Sequence, residues 1–248
     1  MSTEKSLKED KVIKIGVTAG PHAEILEEVK KVAERDGIKI EIVEFNDYIQ
    51  PNAALDQGEI DANAFQHQPF LDNHVKDRGY KLTSIAKTVI LPMGIYSEKI
   101  KNLNDLKDGA SVAIPNDPSN AGRALLLLDQ SGLIKLKAGA GITATTLDIV
   151  ENPKHLKIQE LEAALIPRSI ADMDIAAINT SYAIKAGLVP SRDGLAIEDS
   201  SSPYANILVV RTKDKDDPVF KKLIKAYHSD EVKRYLVEHF NGSILPAW

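Results

Sequence analysis

A chain of 248 residues with 43% hydrophobic and 27% charged residues is long enough for one large or two modest domains and too apolar for intrinsic disorder. Its 31 basic residues against 36 acidic ones, a formal charge of −5, disfavour a nucleic-acid surface. Zero cysteines exclude disulfides, thiolate metal sites and a cysteine nucleophile, and no apolar run approaches the ~18 residues of a membrane span.

Residues 1–10 are polar and lack periodicity, which reads as a tether. The β-branched run at 11–18 predicts the first strand, ended by Ala19-Gly20-Pro21. At 23–35, Ile25, Val29, Val32 and Ala33 recur at helical spacing, with Gly37 as the stop signal. Residues 38–45 alternate with period two and predict a strand. The rhythm continues with a helix at 51–57, a strand at 60–65, a helix at 71–76, a strand at 82–89 and an extended segment through 93–96. Beyond the charged connection at 99–108 come a strand at 111–114 and an apolar helix that includes 124–128. Strands at 158–161, 175–178 and 206–211 and helices at 219–227 and 231–239 complete the chain. Such alternation predicts an α/β fold with mostly parallel sheets flanked by helices.

Two segments are candidate crossings between lobes, 91–97 and 199–204. If both cross, lobe I comprises 11–97 plus 203–248, and 98–202 is an inserted lobe II. One continuous doubly wound domain would give a similar string.

In open parallel sheets ligands bind beyond the carboxyl ends of the strands. Four polar or aromatic clusters fall at such ends: Asn46-Asp47-Tyr48, Phe65-Gln66-His67-Gln68-Pro69-Phe70, Pro115 to Arg123, and Asn179-Thr180-Ser181-Tyr182. In the third, Asp117 or Ser119 can cap a helix and Pro118 suits a first helical position. A helix N-terminus there would favour a carboxylate or phosphate. Arg123 in the first turns opposes the helix dipole, and an anion held by its guanidinium would remove that conflict; the plainer reading is a surface arginine. Asn179 can accept from an ammonium or donate to a carboxylate, or simply cap a helix at 180–185. Tyr48, Phe65, His67 and Phe70 would form an apolar wall with polar edges, suited to an unbranched or thioether side chain, unless each is core. His67 and His74 are not spaced as helical metal ligands and no HExxH exists, so neither metal nor cofactor is expected. Nucleophile-elbow, P-loop, dinucleotide and kinase motifs are missing. Asp172 and Asp174 read as solvated carboxylates at the opposite end of a strand.

Phe45-Asn-Asp-Tyr48, Asp61-Ala-Asn-Ala-Phe-Gln-His67, Pro115-Asn-Asp-Pro-Ser-Asn-Ala-Gly-Arg123, Val150-Glu-Asn-Pro153 and Ile178-Asn-Thr-Ser-Tyr182 occur in this order. Together they resemble the methionine-binding lipoproteins of the NlpA family, the substrate-binding proteins of bacterial methionine ABC importers. The likeness runs from about Lys11 to Trp248. It implies a two-lobed periplasmic-binding-protein fold, type II-like, hinged at the two crossings, that closes on a small ligand without a chemical step. The ligand it implies is L-methionine, a close analogue or a methionine-containing dipeptide, and the partners are the importer's permease and ATPase. Carried onto this chain, Arg123 would hold the ligand carboxylate, Asn179 the amino-acid head group and Asn120 further polar contacts. Tyr48, Phe65, His67 and Phe70 would surround the thioether. Phe70 departs from the tyrosine of many relatives, removing one hydroxyl. Such proteins carry lipid on a cysteine ahead of a polar tether, which places them outside the cytoplasmic membrane. The zero cysteine count then implies a chain that starts beyond that residue, with Met1 ahead of the tether. A monomer is expected. The competing readings are a small α/β enzyme acting on an amino acid, with His67 as base and Arg123 as anchor, and a surface adhesin or signalling module.

Overall fold

The computed structural model describes residues 12–200 and 203–248; the expected tether lies outside them. The chain divides into two compact units, one running to Ile90 and resuming as Pro203–Trp248, the other comprising Leu91–Ser202. The first unit begins with β1 (Ile13–Thr18), α1 (Pro21–Arg35), β2 (Ile40–Phe45), α2 (Gln50–Gln57), β3 (Ala62–His67), α3 (Gln68–Arg78), β4 (Leu82–Lys87) and β5 (Val89–Ile90). The second holds β6 (Gly94–Tyr96), β7 (Ser111–Pro115), α4 (Pro118–Gln130), the paired β8 (Lys135–Leu136) and β9 (Ile149–Glu151), and β10 (Lys157–Leu161). It continues through α5 (Ile166–Ser169), β11 (Ile175–Ile178), α6 (Thr180–Lys185), α7 (Pro190–Asp193) and β12 (Ala196–Ile197). The chain returns to the first unit as β13 (Asn206–Arg211), α8 (Pro218–Tyr227), α9 (Asp230–Phe240) and β14 (Leu245–Pro246).

Each unit is built on a five-stranded sheet, ordered β2-β1-β3-β13-β4 in the first and β10-β7-β11-β6-β12 in the second. All pairings among β1, β2 and β3 and among β7, β10 and β11 are parallel, while β13 and β6 run against their neighbours. The first transition falls at Ile90 rather than after Ser97. Residues 94–96 pair with β11, with Gly94 opposite Ile178 and Tyr96 opposite Ala176, and so complete the second sheet. Central strands need apolar residues on both faces when helices cover both. Ile175 to Ile178 and Ile207 to Val210 meet that need, all being buried. Among the described residues no helix is long and apolar enough to cross a membrane.

Asp174 differs from the expectation of a solvated carboxylate. Its Oδ2 accepts from Ser111 N at 2.8 Å and Ser111 Oγ at 3.1 Å, and its carbonyl accepts from Ser97 Oγ. These bonds, the Ser111 backbone N–H first, hold its carboxyl below the usual range. It ties the start of β11 to β7, far from the strand ends that carry the candidate site.

Helix α1 opens on Gly20, whose φ of 107° favours glycine, with Pro21 in its first turn. His22 follows, buried and with no hydrogen-bond partner for Nδ1. Burial lowers its pKa from 6.5 to about 4, because the apolar surroundings penalise the charged ring. Above pH 6.5 the ring is neutral in folded and unfolded chains alike and stability is unaffected. Between 6.5 and about 4 only the unfolded chain takes the proton, so stability falls by about 1.4 kcal/mol per pH unit, about 3 kcal/mol in all. Urea midpoints measured across this range should carry that slope, and His22→Phe should remove its share.

Candidate functional site

The first unit presents an aromatic set at the ends of β2 and β3. Phe65 and His67 lie on β3, Phe70 in the first turns of α3, and Tyr48 in the connection between β2 and α2. Tyr48, Phe65 and Phe70 meet pairwise, with ring centroids 5.8–5.9 Å apart and the Phe65–Phe70 and Tyr48–Phe70 pairs edge to face, as the ring quadrupole prefers. Phe65, Phe70 and His67 are buried and Tyr48 is half-buried. His67 is the N-cap of α3: its Nδ1 accepts from the Phe70 backbone N–H at 3.2 Å, which puts the ring proton on Nε2. Tyr204, just ahead of β13, stands edge-on to the His67 ring at 5.0 Å. The register that pairs Asn206 with His67 brings it there.

Behind the aromatic set lies a buried amide network. Asn52 Oδ1 accepts from Asn63 Nδ2 at 3.0 Å and Gln66 Nε2 at 2.7 Å. Its Nδ2 donates to Gln66 Oε1 at 2.8 Å and to His74 Nδ1 at 3.2 Å. Gln66 also donates to Asn63 Oδ1, and Asn63 to the Pro51 carbonyl. Gln66 sits on β3 between Phe65 and His67, and the His74 ring lies 4.3 Å from that of Phe70. The amides therefore fix β3 and the rings it carries, since each buried polar group left without its partner would cost about 1–3 kcal/mol.

The second unit presents a polar set at the ends of β7 and β11. Asp117 caps α4, its Oδ2 accepting from Asn120 N at 3.0 Å, with Pro118 in the first turn. Arg123, further along α4, is buried against Glu198: Nη2 donates to Oε1 at 2.6 Å and Nε to Oε2 at 2.9 Å, while the Leu91 carbonyl accepts from Nη2 at 2.8 Å. The side chains of the pair are 4% and 7% exposed. The anion that Arg123 needs near a helix N-terminus is thus supplied by the chain itself. Asn179 stands at the N-cap position of α6 but makes no capping hydrogen bond; its Nδ2 donates to Asn120 Oδ1 at 3.2 Å. Its Oδ1 is buried without a partner. Among the described residues no cluster of three His, Asp or Glu side chains is placed to hold a metal ion.

The structure thus brings Tyr48, Phe65, His67 and Phe70 together in one unit, and Asn120, Arg123 and Asn179 together in the other. Asn120 and Arg123 share helix α4, and Asn179 reaches it through the Asn120 amide. Glu198 and Asn52 go unnoticed in the sequence, while Gln66 and Tyr204 fall in the 65–70 cluster and the 199–204 segment without a role of their own. Glu198 leaves no local signal, because the burial of Arg123 that calls for a carboxylate partner is set by the fold.

The chain passes twice between two units, each built on a mostly parallel sheet, and its likeness to known proteins makes it a substrate-binding protein. The chain belongs to the NlpA lipoprotein family, whose model matches residues 13–248. It is 53% identical over 244 residues to the D-methionine-binding lipoprotein MetQ of Salmonella typhimurium, covering 97% of this chain and 90% of that protein. The MetQ of Escherichia coli is 51% identical over the same length and shares. A nutrient-binding protein from Burkholderia cenocepacia, solved bound to methionine, is 56% identical with a TM-score of 0.93, covering 95% of this chain and 100% of that one. A methionine-binding protein MetQ of known structure gives 50% identity and a TM-score of 0.94, covering 97% and 99%.

Proposed function

We propose that this chain captures methionine, a close analogue or a methionine-containing dipeptide, and delivers it to the permease and ATPase of an ABC importer without changing it chemically. The observation that carries this reading is the methionine-bound relative, 56% identical over nearly the whole chain. In this assignment Arg123 takes the ligand carboxylate, with Glu198 holding the guanidinium in place. Asn179 and Asn120 take the rest of the head group. Tyr48, Phe65, His67 and Phe70 take the thioether, to which aromatic rings offer dispersion and sulfur contacts. The lipoprotein names of the relatives support a lipid-anchored position outside the cytoplasmic membrane, and a monomer is expected. A catalytic role for His67 finds little support, because the Nδ1 lone pair a base would use accepts from Phe70 N.

Calorimetric titration with L-methionine, D-methionine and glycyl-methionine, after unfolding and refolding to strip any bound ligand, tests the reading. Saturable one-to-one binding of at least one, with no product on prolonged incubation, is expected. No heat and no thermal stabilisation with all three would overturn it.

A further inference from the structure

The amide of Asn179 is oriented from outside its own helix. Asp117 Oδ2 accepts from Ser119 Oγ at 2.7 Å as well as from Asn120 N, and Asn120 Nδ2 donates to Asp117 Oδ1 at 3.0 Å and Oδ2 at 3.1 Å. An ionised carboxylate only accepts, so Asn120 must turn its nitrogen toward Asp117 and its oxygen the other way. That oxygen accepts from Asn179 Nδ2 at 3.2 Å. Asn179 must in turn spend its nitrogen on Asn120, and its Oδ1, on a side chain 7% exposed, is the atom left without a partner. No capping bond competes for this amide.

We propose that Asp117 is a positioning residue that sets the polarity of the head-group subsite: through Asn120 it obliges Asn179 to present an acceptor, and that acceptor takes the ligand α-ammonium. The inference rests on the methionine reading and sharpens it, since an asparagine could otherwise serve either a carboxylate or an ammonium. With Asp117 in place the relay has one orientation. Asn120 reversed would face its oxygen to the Asp117 carboxylate, acceptor against acceptor.

The test compares L-methionine with its deamino analogue, which keeps the carboxylate and the thioether. A hydrogen bond from a charged donor to a buried acceptor corresponds to about 100-fold in affinity, so the wild type should prefer methionine by about that factor. Serine caps helices as well as aspartate but supplies no carboxylate, so Asp117→Ser should keep its melting temperature and its affinity for the deamino analogue. Its preference for methionine should fall to about tenfold or less. Asp217→Ser, at the cap of α8 where Asp217 accepts from Val219 N, should change neither affinity. An unchanged preference in Asp117→Ser, or an equal loss for both ligands, would mean a merely structural cap and overturn the inference alone. A wild type that binds both ligands equally would overturn it without any variant. A wild type that binds neither would overturn the methionine reading and this inference with it.

Discussion

Arg123→Met is expected to destabilise the protein by about 3–5 kcal/mol and to abolish measurable methionine binding. The first effect follows from Glu198, whose side chain is 7% exposed and takes three guanidinium bonds; removing one partner of a buried pair strands the other charge. The second follows from the proposed carboxylate contact. The two effects separate in the double variant Arg123→Met/Glu198→Leu, because replacing a buried pair with apolar side chains of similar volume is often neutral or stabilising. Its urea midpoint should return toward the wild-type value while its calorimetric titration with methionine stays flat. A double variant that regained binding would show that Arg123 serves the fold alone.

Asn52→Leu should destabilise the protein by about 2–6 kcal/mol. Asn52 is fully buried and its Oδ1 receives both Asn63 and Gln66. Leucine would remove these two bonds and the two that Asn52 Nδ2 donates to Gln66 Oε1 and His74 Nδ1, at about 0.5–1.5 kcal/mol for each bond lost. Because Gln66 lies between Phe65 and His67 on β3, the surviving folded protein should bind methionine about tenfold more weakly (~1.4 kcal/mol), by disorder of the aromatic wall rather than loss of a contact. Denaturant titration and calorimetry on the same preparation check both parts. A variant as stable as the wild type would show that the amides are dispensable.

These residues mark where the sequence stops being legible. Strands β11 and β13 are read from sequence to the residue, because their apolar runs bounded by polar residues are too short for a helix. Strand β3 is displaced by two residues. Its last positions, Gln66 and His67, look like loop but are buried by pairing with Ile207 and Asn206 of β13, from the far end of the chain. Helix α3 starts earlier than its periodicity suggests, since its cap is an imidazole nitrogen rather than a hydroxyl or carboxylate. The aromatic and polar clusters were visible as departures from apolar character at strand ends. The Arg123–Glu198 pair was not, because its partners lie 75 residues apart and a glutamate after a short edge strand looks like any solvated one. The polarity of Asn179 was open for the same reason: it depends on Asp117, which local spacing describes only as a cap.

The most direct measurement is a crystal structure of this chain grown with L-methionine. One methionine is expected, with its carboxylate on Arg123, its ammonium within hydrogen-bond distance of Asn179 Oδ1, and its sulfur among Tyr48, Phe65 and Phe70. Methionine bound away from these residues, or reversed so that its carboxylate meets the Asn179 amide, would contradict it.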